Sequence, residues 1–436
     1  MANQKRDLLD DLIDIQSDWQ ALSNPFGDIA DSLAADPSQR KVFDPADYKE
    51  KPFANSNRCL CTASGRDDVC TRCLDVCPVN AIEIHKQSVI IGDDCRKCGL
   101  CAAACPTETI STRRHMPRQV YDKIARAASA YEHCYVTCTR ALKRLPKDNE
   151  IVLGCVGAIS RDLWFSLMAD YDNISVYLPV GICDRCKTTT GEEFYCDAIG
   201  TAEEWAQASL GLVADESEMT HDFTREYKRS QFMSSAVHSA ERLLTRTNPA
   251  LAGAKAVANK ISAHASRLDQ LQRTLEGAVG AKTSNNRQRM LTQNRKLVMG
   301  ALQHDEGLAK FIDLTAPVCD ASKCTMCGDC AKVCTTRALD LDVNGHITIQ
   351  SSYCVSCGAC VKVCEDGALA MEPMDVSELI VPDPAAEELA RKKAQAKVEA
   401  QKYIEQGKKQ LSRAADVLEG LGTSDSGAND SKTSKK

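Results

Sequence analysis

Cysteine spacing constrains this chain more than any other feature. Of its 436 residues, 24 are cysteine, and they recur in C-x2-C steps. Nine fall in residues 51–115, six in 116–214 and nine in 319–373. A disulfide framework between distant strands does not need such steps, whereas a shared metal does. One block is echoed by another. CTRCLDVCPVNAIEI…CRKCGLCAAACPTETI returns as CTMCGDCAKVCTTRALDL…CVSCGACVKVCEDGALAM. Each half reads as a cysteine loop, a short helix and a short alternating strand. Asn344-Gly345, between LDLDV and HITIQ, is a hairpin turn signal. The repeat predicts a small α+β unit with internal two-fold repetition, present twice.

A four-iron cubane needs four thiolates at the corners of a tetrahedron. Three come from a C-x2-C-x2-C loop; the fourth follows three residues later and, in two-cluster ferredoxins, binds the other cluster. The C-terminal block has the full pattern. Cys324, Cys327 and Cys330 go with Cys364; Cys354, Cys357 and Cys360 go with Cys334. The proline that usually follows the fourth cysteine is replaced by Thr335 and Glu365. Glu365 and Asp366 add negative charge there, which lowers a cluster potential if they stand close. In the N-terminal block Cys95, Cys98 and Cys101 go with Cys77, and Cys105 precedes Pro106. The first motif, Cys70, Cys73 and Cys77, is displaced: Asp67 holds the regular first position. Cys59 or Cys61 supplies that ligand alongside Cys70, Cys73 and Cys105, and the sequence does not choose between them. Zinc ribbons pair C-x2-C steps and lack the C-x2-C-x2-C-x3-C run. At these positions the sequence resembles the bacterial-type dicluster ferredoxin family twice over. That resemblance implies four [4Fe–4S] clusters and electron transfer. Cys319 lies outside the pattern and reads as a buried thiol.

The middle cysteines sit on a different framework. HCYVTC, EIVLGC and ISVYLPVGIC read as strands, and SRDLWFSLMADY between the last two reads as a helix. A β-α-β order predicts parallel strands. Cys138, Cys155 and Cys183 then fall at their carboxyl ends, and Cys186 opens the next helix. Ligands gather at that edge, so these four cysteines are a candidate fifth site, for an iron–sulfur cluster or for zinc. Unligated or redox-active thiols are the remaining reading. Cys134 and Cys196 are held in reserve, with core packing as their plain reading. GCVGAISRDLWFSLM…VYLPVGICDRC also resembles, more loosely, an accessory domain of some bacterial ferredoxin-like proteins and the small iron–sulfur subunit of hydrogenase–heterodisulfide reductase complexes. This implies relay of electrons to a partner.

The expected fold class is α+β: two ferredoxin-like dicluster units at 51–115 and 319–373, a small parallel α/β domain at 116–214, and a long helical insert at 215–318. Residues 1–50 read as a helix and polar segment, 374–421 as a linker and charged helix, and 422–436 as a tail of disordered composition. Val257, Ile261, His264, Leu268, Leu271 and Leu275 form one apolar helix face, for bundle packing or for a partner. Arg287, Arg289, Arg295 and Lys296 read as a solvated face or as a contact for an acidic partner. The net charge of −6 and the lack of a basic run disfavour nucleic acid. No run of eighteen apolar residues and no signal-type segment occurs, so a reducing cytoplasm is expected. There is no G-x-G-x-x-G after a strand, no P-loop and no H-E-x-x-H, and no catalytic residue is assigned. The leading function is an electron carrier or electron-transfer subunit with a redox protein as partner. The alternatives are a maturation factor that grips a redox enzyme, and an enzyme that reacts at the middle site.

Overall fold

In the computed structural model, residues 42–225, 227, 249–381 and 391–392 are described. Most of the expected N-terminal helix, the charged C-terminal helix and the tail lie outside the described residues. The two repeated blocks fold alike. In the first, strand β1 (Phe53–Ala54) pairs antiparallel with β4 (Ile110–Ser111), and β2 (Ile82–His85) with β3 (Ser88–Ile91). Short helices α1 (Leu60–Ser64), α2 (Arg72–Asp75) and α3 (Leu100–Ala104) lie between them. In the second, β9 (Thr315–Cys319) pairs with β12 (Leu369–Pro373), and β10 (Leu339–Leu341) with β11 (Ile347–Ile349). Helices α9 (Asp329–Val333) and α10 (Ala359–Lys362) follow the two cysteine loops. The Asn344-Gly345 turn is a hairpin tip: Gly345 takes φ 83° and donates its N–H to the Asp342 carbonyl at 3.0 Å. These helices are one turn long because a cysteine loop bounds each of them, and neither unit has a large core. The two units share one apolar cluster instead. Leu60, Val69 and Ile110 of the first join Val333, Leu339 and Leu369 of the second, and α1 packs on α9.

The middle segment forms the predicted parallel sheet. Strands β5 (Cys134–Cys138), β6 (Glu150–Leu153), β7 (Ile174–Tyr177) and β8 (Gly211–Val213) stand in the order β6-β5-β7-β8, all parallel. That is the 2-1-3-4 arrangement of a doubly wound sheet, with its switch point between β5 and β7. Helices α4 (Pro117–Ala130), α5 (Arg161–Asp170) and α6 (Gly191–Ala206) flank it. Ser160 caps α5 by accepting the Leu163 N–H at 3.3 Å. Trp164, Phe165 and Trp205 are fully buried beneath these helices. Full burial of each aromatic is worth roughly 2–3 kcal/mol. Strand β7 ends at Tyr177, short of the predicted run to Cys183. Pro179 and the left-handed Gly181 (φ 69°) turn the chain out of the sheet.

Two helices brace these parts. On α7 (Pro249–Val279), Leu268, Leu271 and Leu275 are buried, and α7 packs on α4 and on α8 (Gln293–His304). Bundle packing is therefore the use of that stripe. Residues 280–292 break the helical run with a turn bridged at Lys282 and Gln288. Arg289 and Arg295 are buried, which corrects the solvated reading for those two, while Arg287 is exposed as that reading has it. Arg289 pairs with Asp340 at 3.4 Å, Arg295 donates to the Cys354 carbonyl, and Lys296 pairs with Asp269 at 2.8 Å.

His264 of α7 stacks on Tyr121 of α4 with ring centroids 4.6 Å apart. Its Nε2 lies 4.0 Å from Asp170, which also accepts from Tyr121 and pairs with His304. Burial, then the positive charges of Arg118, Arg267 and His304, pull the imidazole down to about 4. An unfolded histidine titrates near 6.5. Between these values only the unfolded chain holds the proton, so the stabilisation is complete above pH 6.5 and is lost as pH falls towards 4. Unfolding free energy is expected to drop by about 2 kcal/mol from pH 7 to pH 5 through this residue. Denaturant unfolding of His264→Leu would show that part of the pH dependence removed.

Candidate metal centres

Three cysteine loops, Cys95–Cys101, Cys324–Cys330 and Cys354–Cys360, follow the same backbone course. The residue before the second cysteine is left-handed: Lys97 at 57°, Met326 at 59° and Ser356 at 51°. So is the glycine after it, Gly99 at 88°, Gly328 at 78° and Gly358 at 73°. Left-handed backbone costs a non-glycine residue about 1–2 kcal/mol, and here it recurs at the same step of each loop and curls it. The Cys70–Cys77 loop differs. Its displaced spacing puts helix α2 where the other loops curl.

A single turn follows every fourth cysteine. The N–H groups of Asn80, Glu108, Arg337 and Gly367 donate to the carbonyls of Cys77, Cys105, Cys334 and Cys364 at 3.4, 3.2, 3.0 and 3.3 Å. Each of those donors is left-handed. Cys334 and Cys364 make the turn without a following proline, so Thr335 and Glu365 leave it intact. Backbone N–H groups also point at sulfur: Ala81 at Cys77 (3.3 Å), Thr109 at Cys105 (3.2 Å) and Ala368 at Cys364 (3.3 Å). Lys97 and Met326 do the same for Cys95 and Cys324, both at 3.4 Å.

The loops assemble crosswise. Cys59, Cys70, Cys73 and Cys105 line a hollow of about 350 Å³. Cys77, Cys95, Cys98 and Cys101 line one of about 330 Å³, and Cys334, Cys354, Cys357 and Cys360 one of about 310 Å³. Cys324, Cys327 and Cys364 lie within electrostatic reach of Cys330. Burial raises eight of these sixteen thiols, Cys73 and Cys357 to about 12 and Cys330 to about 11, so a metal is needed to hold those as thiolates.

Single ions do not fit. Among the described residues, no three His, Cys, Asp or Glu side chains close on a point suited to one metal ion. Zinc holds its four thiolates about 3.8 Å apart, from Zn–S bonds of about 2.3 Å, whereas sulfurs on separate corners of an iron cube stand wider. Buried cations point the same way. Arg295 Nε and the Nε and Nη1 of Arg289 are buried without partners. Arg295 touches the Cys354 carbonyl and Arg289 lies over the Tyr353 ring at 6.0 Å. Burial works against the Arg295 charge, and an anionic cluster alongside offsets it.

Cys59 and Cys61 part company. Cys59 faces the hollow with Cys70, Cys73 and Cys105. Cys61 is buried in α1, with its sulfur 3.2 Å from the Cys70 carbonyl and 3.6 Å from the Asp67 carbonyl. A hydrogen bond between the two thiols lowers Cys59 to about 6 and raises Cys61.

The middle cysteines also converge. Cys138 ends β5 and Cys155 follows β6, as the strand pattern predicts. Cys183 and Cys186 lie in the loop after β7, five or more residues before α6 rather than at its start. Cys138 and Cys186 are each within electrostatic reach of the other three. Thr188 aims its N–H at Cys186 (3.5 Å), and the Tyr195 hydroxyl lies 3.7 Å from Cys183. A Cβ on Gly191 would stand 3.0 Å from Cys155 sulfur, so glycine lets α6 begin against this site. Of the reserves, Cys134 is buried in the core and Cys196 is exposed on α6. Cys319 is half-buried near Cys324, next to a cysteine set rather than in one.

Sequence reasoning missed Arg72 and Tyr195, whose only signal was nearness in sequence to a cysteine, and it placed Arg289 and Arg295 at the surface, whereas both are buried. No helix among the described residues is long and apolar enough to cross a membrane.

The family profile described as a 4Fe-4S dicluster domain matches residues 66–109 and 323–368. A ferredoxin of Methanothermococcus thermolithotrophicus is 35% identical over 46 residues, 10% of this chain and 77% of the relative. An uncharacterised ferredoxin of Methanocaldococcus jannaschii is 37% identical over 43 residues, 9% of this chain and 69% of the relative. No solved structure matches the chain.

Proposed function

This chain belongs to the 4Fe-4S dicluster ferredoxin family of iron–sulfur electron-transfer proteins, and from that premise we propose that it carries single electrons between a donor and a partner oxidoreductase through four clusters and a fifth metal site. In this reading Cys59, Cys70, Cys73 and Cys105 hold one cluster and Cys77, Cys95, Cys98 and Cys101 the second. Cys324, Cys327, Cys330 and Cys364 hold the third, and Cys334, Cys354, Cys357 and Cys360 the fourth. Cys138, Cys155, Cys183 and Cys186 hold the fifth site, with iron–sulfur favoured over zinc. When bound, the clusters accept and release one electron at a time by changing charge state. The protein supplies apolar burial, N–H groups aimed at sulfur, and Arg295 and Arg289, whose charge favours the reduced state of the neighbouring set.

The carrying observation is the crosswise assembly: two hollows are each lined by three cysteines of one loop and one of the other, and a third by Cys70 and Cys73 of one loop with Cys59 and Cys105. Units 51–115 and 319–373 hold the clusters, 116–214 adds the fifth site, and 215–318 braces them. The likeness of the middle domain to small subunits of hydrogenase–heterodisulfide reductase complexes supports relay to a larger enzyme, in a reducing cytoplasm. A client-gripping factor would need a free helical face, whereas the α7 stripe is packed inward.

Anaerobic reconstitution with iron and sulfide counting tests the reading. About sixteen irons are expected for four cubes and about twenty with the fifth site; eight or fewer would sink it. Cys59→Ser is expected to remove or alter one cluster, while Cys61→Ser keeps the full iron count and shifts only one potential. Equal iron loss from both variants would refute the ligand assignment.

Asp366 accepts from Thr325 in the Cys324 loop at 2.6 Å, which puts its charge beside that set. Glu365→Gln with Asp366→Asn is expected to raise one cluster potential, seen in an EPR-monitored redox titration. An unchanged titration would remove these carboxylates from the account.

A further inference from the structure

We propose that the five cysteine sets stand in single file: the Cys138 set, the Cys95 set, the Cys59 set, the Cys354 set and then the Cys324 set. Arg72 occupies the junction between the two dicluster units. The inference rests on reading the sets as metal sites and adds their order, which fixes where electrons enter and leave.

The first junction joins the middle sheet to the Cys95 loop. A Cβ on Gly154 would lie 2.6 Å from the Lys97 carbonyl oxygen and 3.4 Å from Cys98 Cα. One on Gly99 would lie 2.7 Å from Ala158 Cβ, and one on Gly157 would strike Leu100. Three glycines thus let the two backbones meet, and Cys155 and Cys98 fall within electrostatic reach. Thr190 ties the same domain to the other side of the unit by donating to the Val76 carbonyl at 2.7 Å.

The second junction lies inside the N-terminal unit, where α3, which carries Cys101, packs on α2, which carries Cys73. The third crosses between units. A groove of about 1290 Å³ has Arg72, Cys105 and Pro106 on one wall and Val355 and Ser356 on another. Arg72 also lines the Cys59 hollow and is the cross-unit charge near Cys357. The fourth lies inside the C-terminal unit, where α9 carries Cys330 and runs into Cys334, and α10 carries Cys360 and leads to Cys364. The ends of the file are open. Cys327 is exposed, and Val180, in the loop that carries Cys183 and Cys186, is 91% exposed. An electron crosses each junction without any bond being made or broken. It comes from a low-potential one-electron donor at one end and passes to an electron-accepting protein at the other.

The order is testable on the full-length, anaerobically reconstituted protein, reduced by dithionite and followed by EPR. Arg72 is an exposed side chain, so Arg72→Gln is expected to fold and keep the wild-type iron and sulfide content. Loss of its charge is expected to lower the reduction equilibrium constants of two clusters, each severalfold, and leave the others in place. Arg72→Lys is expected to restore both, which a merely structural role would not do. A shift confined to one cluster, or to none, overturns the junction. Cys186→Ser, which disturbs an end set, is expected to relieve spin–spin broadening from one neighbouring signal. Relief of two signals would move that set to the interior of the file and overturn the order. Wild-type protein with iron for four clusters only would remove the Cys138 end and the reading of that site with it. The Arg72 result would then decide the rest alone.

Discussion

Everything about this molecule depends on how firmly the cysteine loops are held relative to one another, and one short segment does most of the holding. Met290 donates its N–H to the Thr336 carbonyl at 3.0 Å in the C-terminal unit. Asn294 donates its N–H to the Glu108 side chain at 2.9 Å in the N-terminal unit. The same Asn294 accepts from Ser160 of the middle domain at 2.9 Å. Arg295, next along, reaches the Cys354 carbonyl. Thr292 caps the helix that carries the last two by accepting the Arg295 N–H at 3.3 Å. All three cysteine-bearing parts thus hydrogen-bond to residues 290–295. Electron transfer between buried centres depends on fixed spacing, and here the spacing is set outside the units themselves.

Such an external brace answers a difficulty in each unit. A dicluster unit of this size has one-turn helices, short strands and little apolar surface to bury. Its loops carry left-handed non-glycine residues that cost energy at Lys97, Met326, Ser356, Glu108 and Arg337. Ligation by metal is one compensation. Packing the two units on a common apolar cluster is another, and the middle sheet with α7 and α8 supplies a third. Glu108 shows how the compensations interlock. Its left-handed backbone closes the turn after Cys105, and its side chain accepts the Asn294 N–H from the brace.

The cysteine sets were legible because a motif states its chemistry in spacing. C-x2-C-x2-C-x3-C named fifteen of the positions, and a β-α-β pattern placed Cys138 and Cys155 at the sheet edge where they lie. What stayed hidden depended on distance in three dimensions. Cys59 and Cys61 sit two residues apart on one helix turn, and only the packing of α1 shows which sulfur faces the hollow. The third strand was read too long because LPVGIC is apolar, although Pro179 and Gly181 were visible stops. Arg289 and Arg295 looked solvated because arginine usually is. Nothing local revealed that Tyr353 and the Cys354 loop fold over them.

Those two arginines bear on direction as well as stability. A buried guanidinium stabilises whichever state of its neighbour is more negative, and in low dielectric it does so more strongly than an exposed one. Arg295 and Arg289 stand beside the Cys354 set, while Asp366 stands beside the Cys324 set that shares its unit. The charges therefore oppose one another across a single dicluster unit. They favour the electron on the Cys354 side and disfavour it at the outer end. Arg72, at the groove that leads to the N-terminal unit, adds positive charge on that same inner side. In the proposed relay, charges placed this way would hold the electron in the interior and release it outward only to a partner whose potential is high enough to take it.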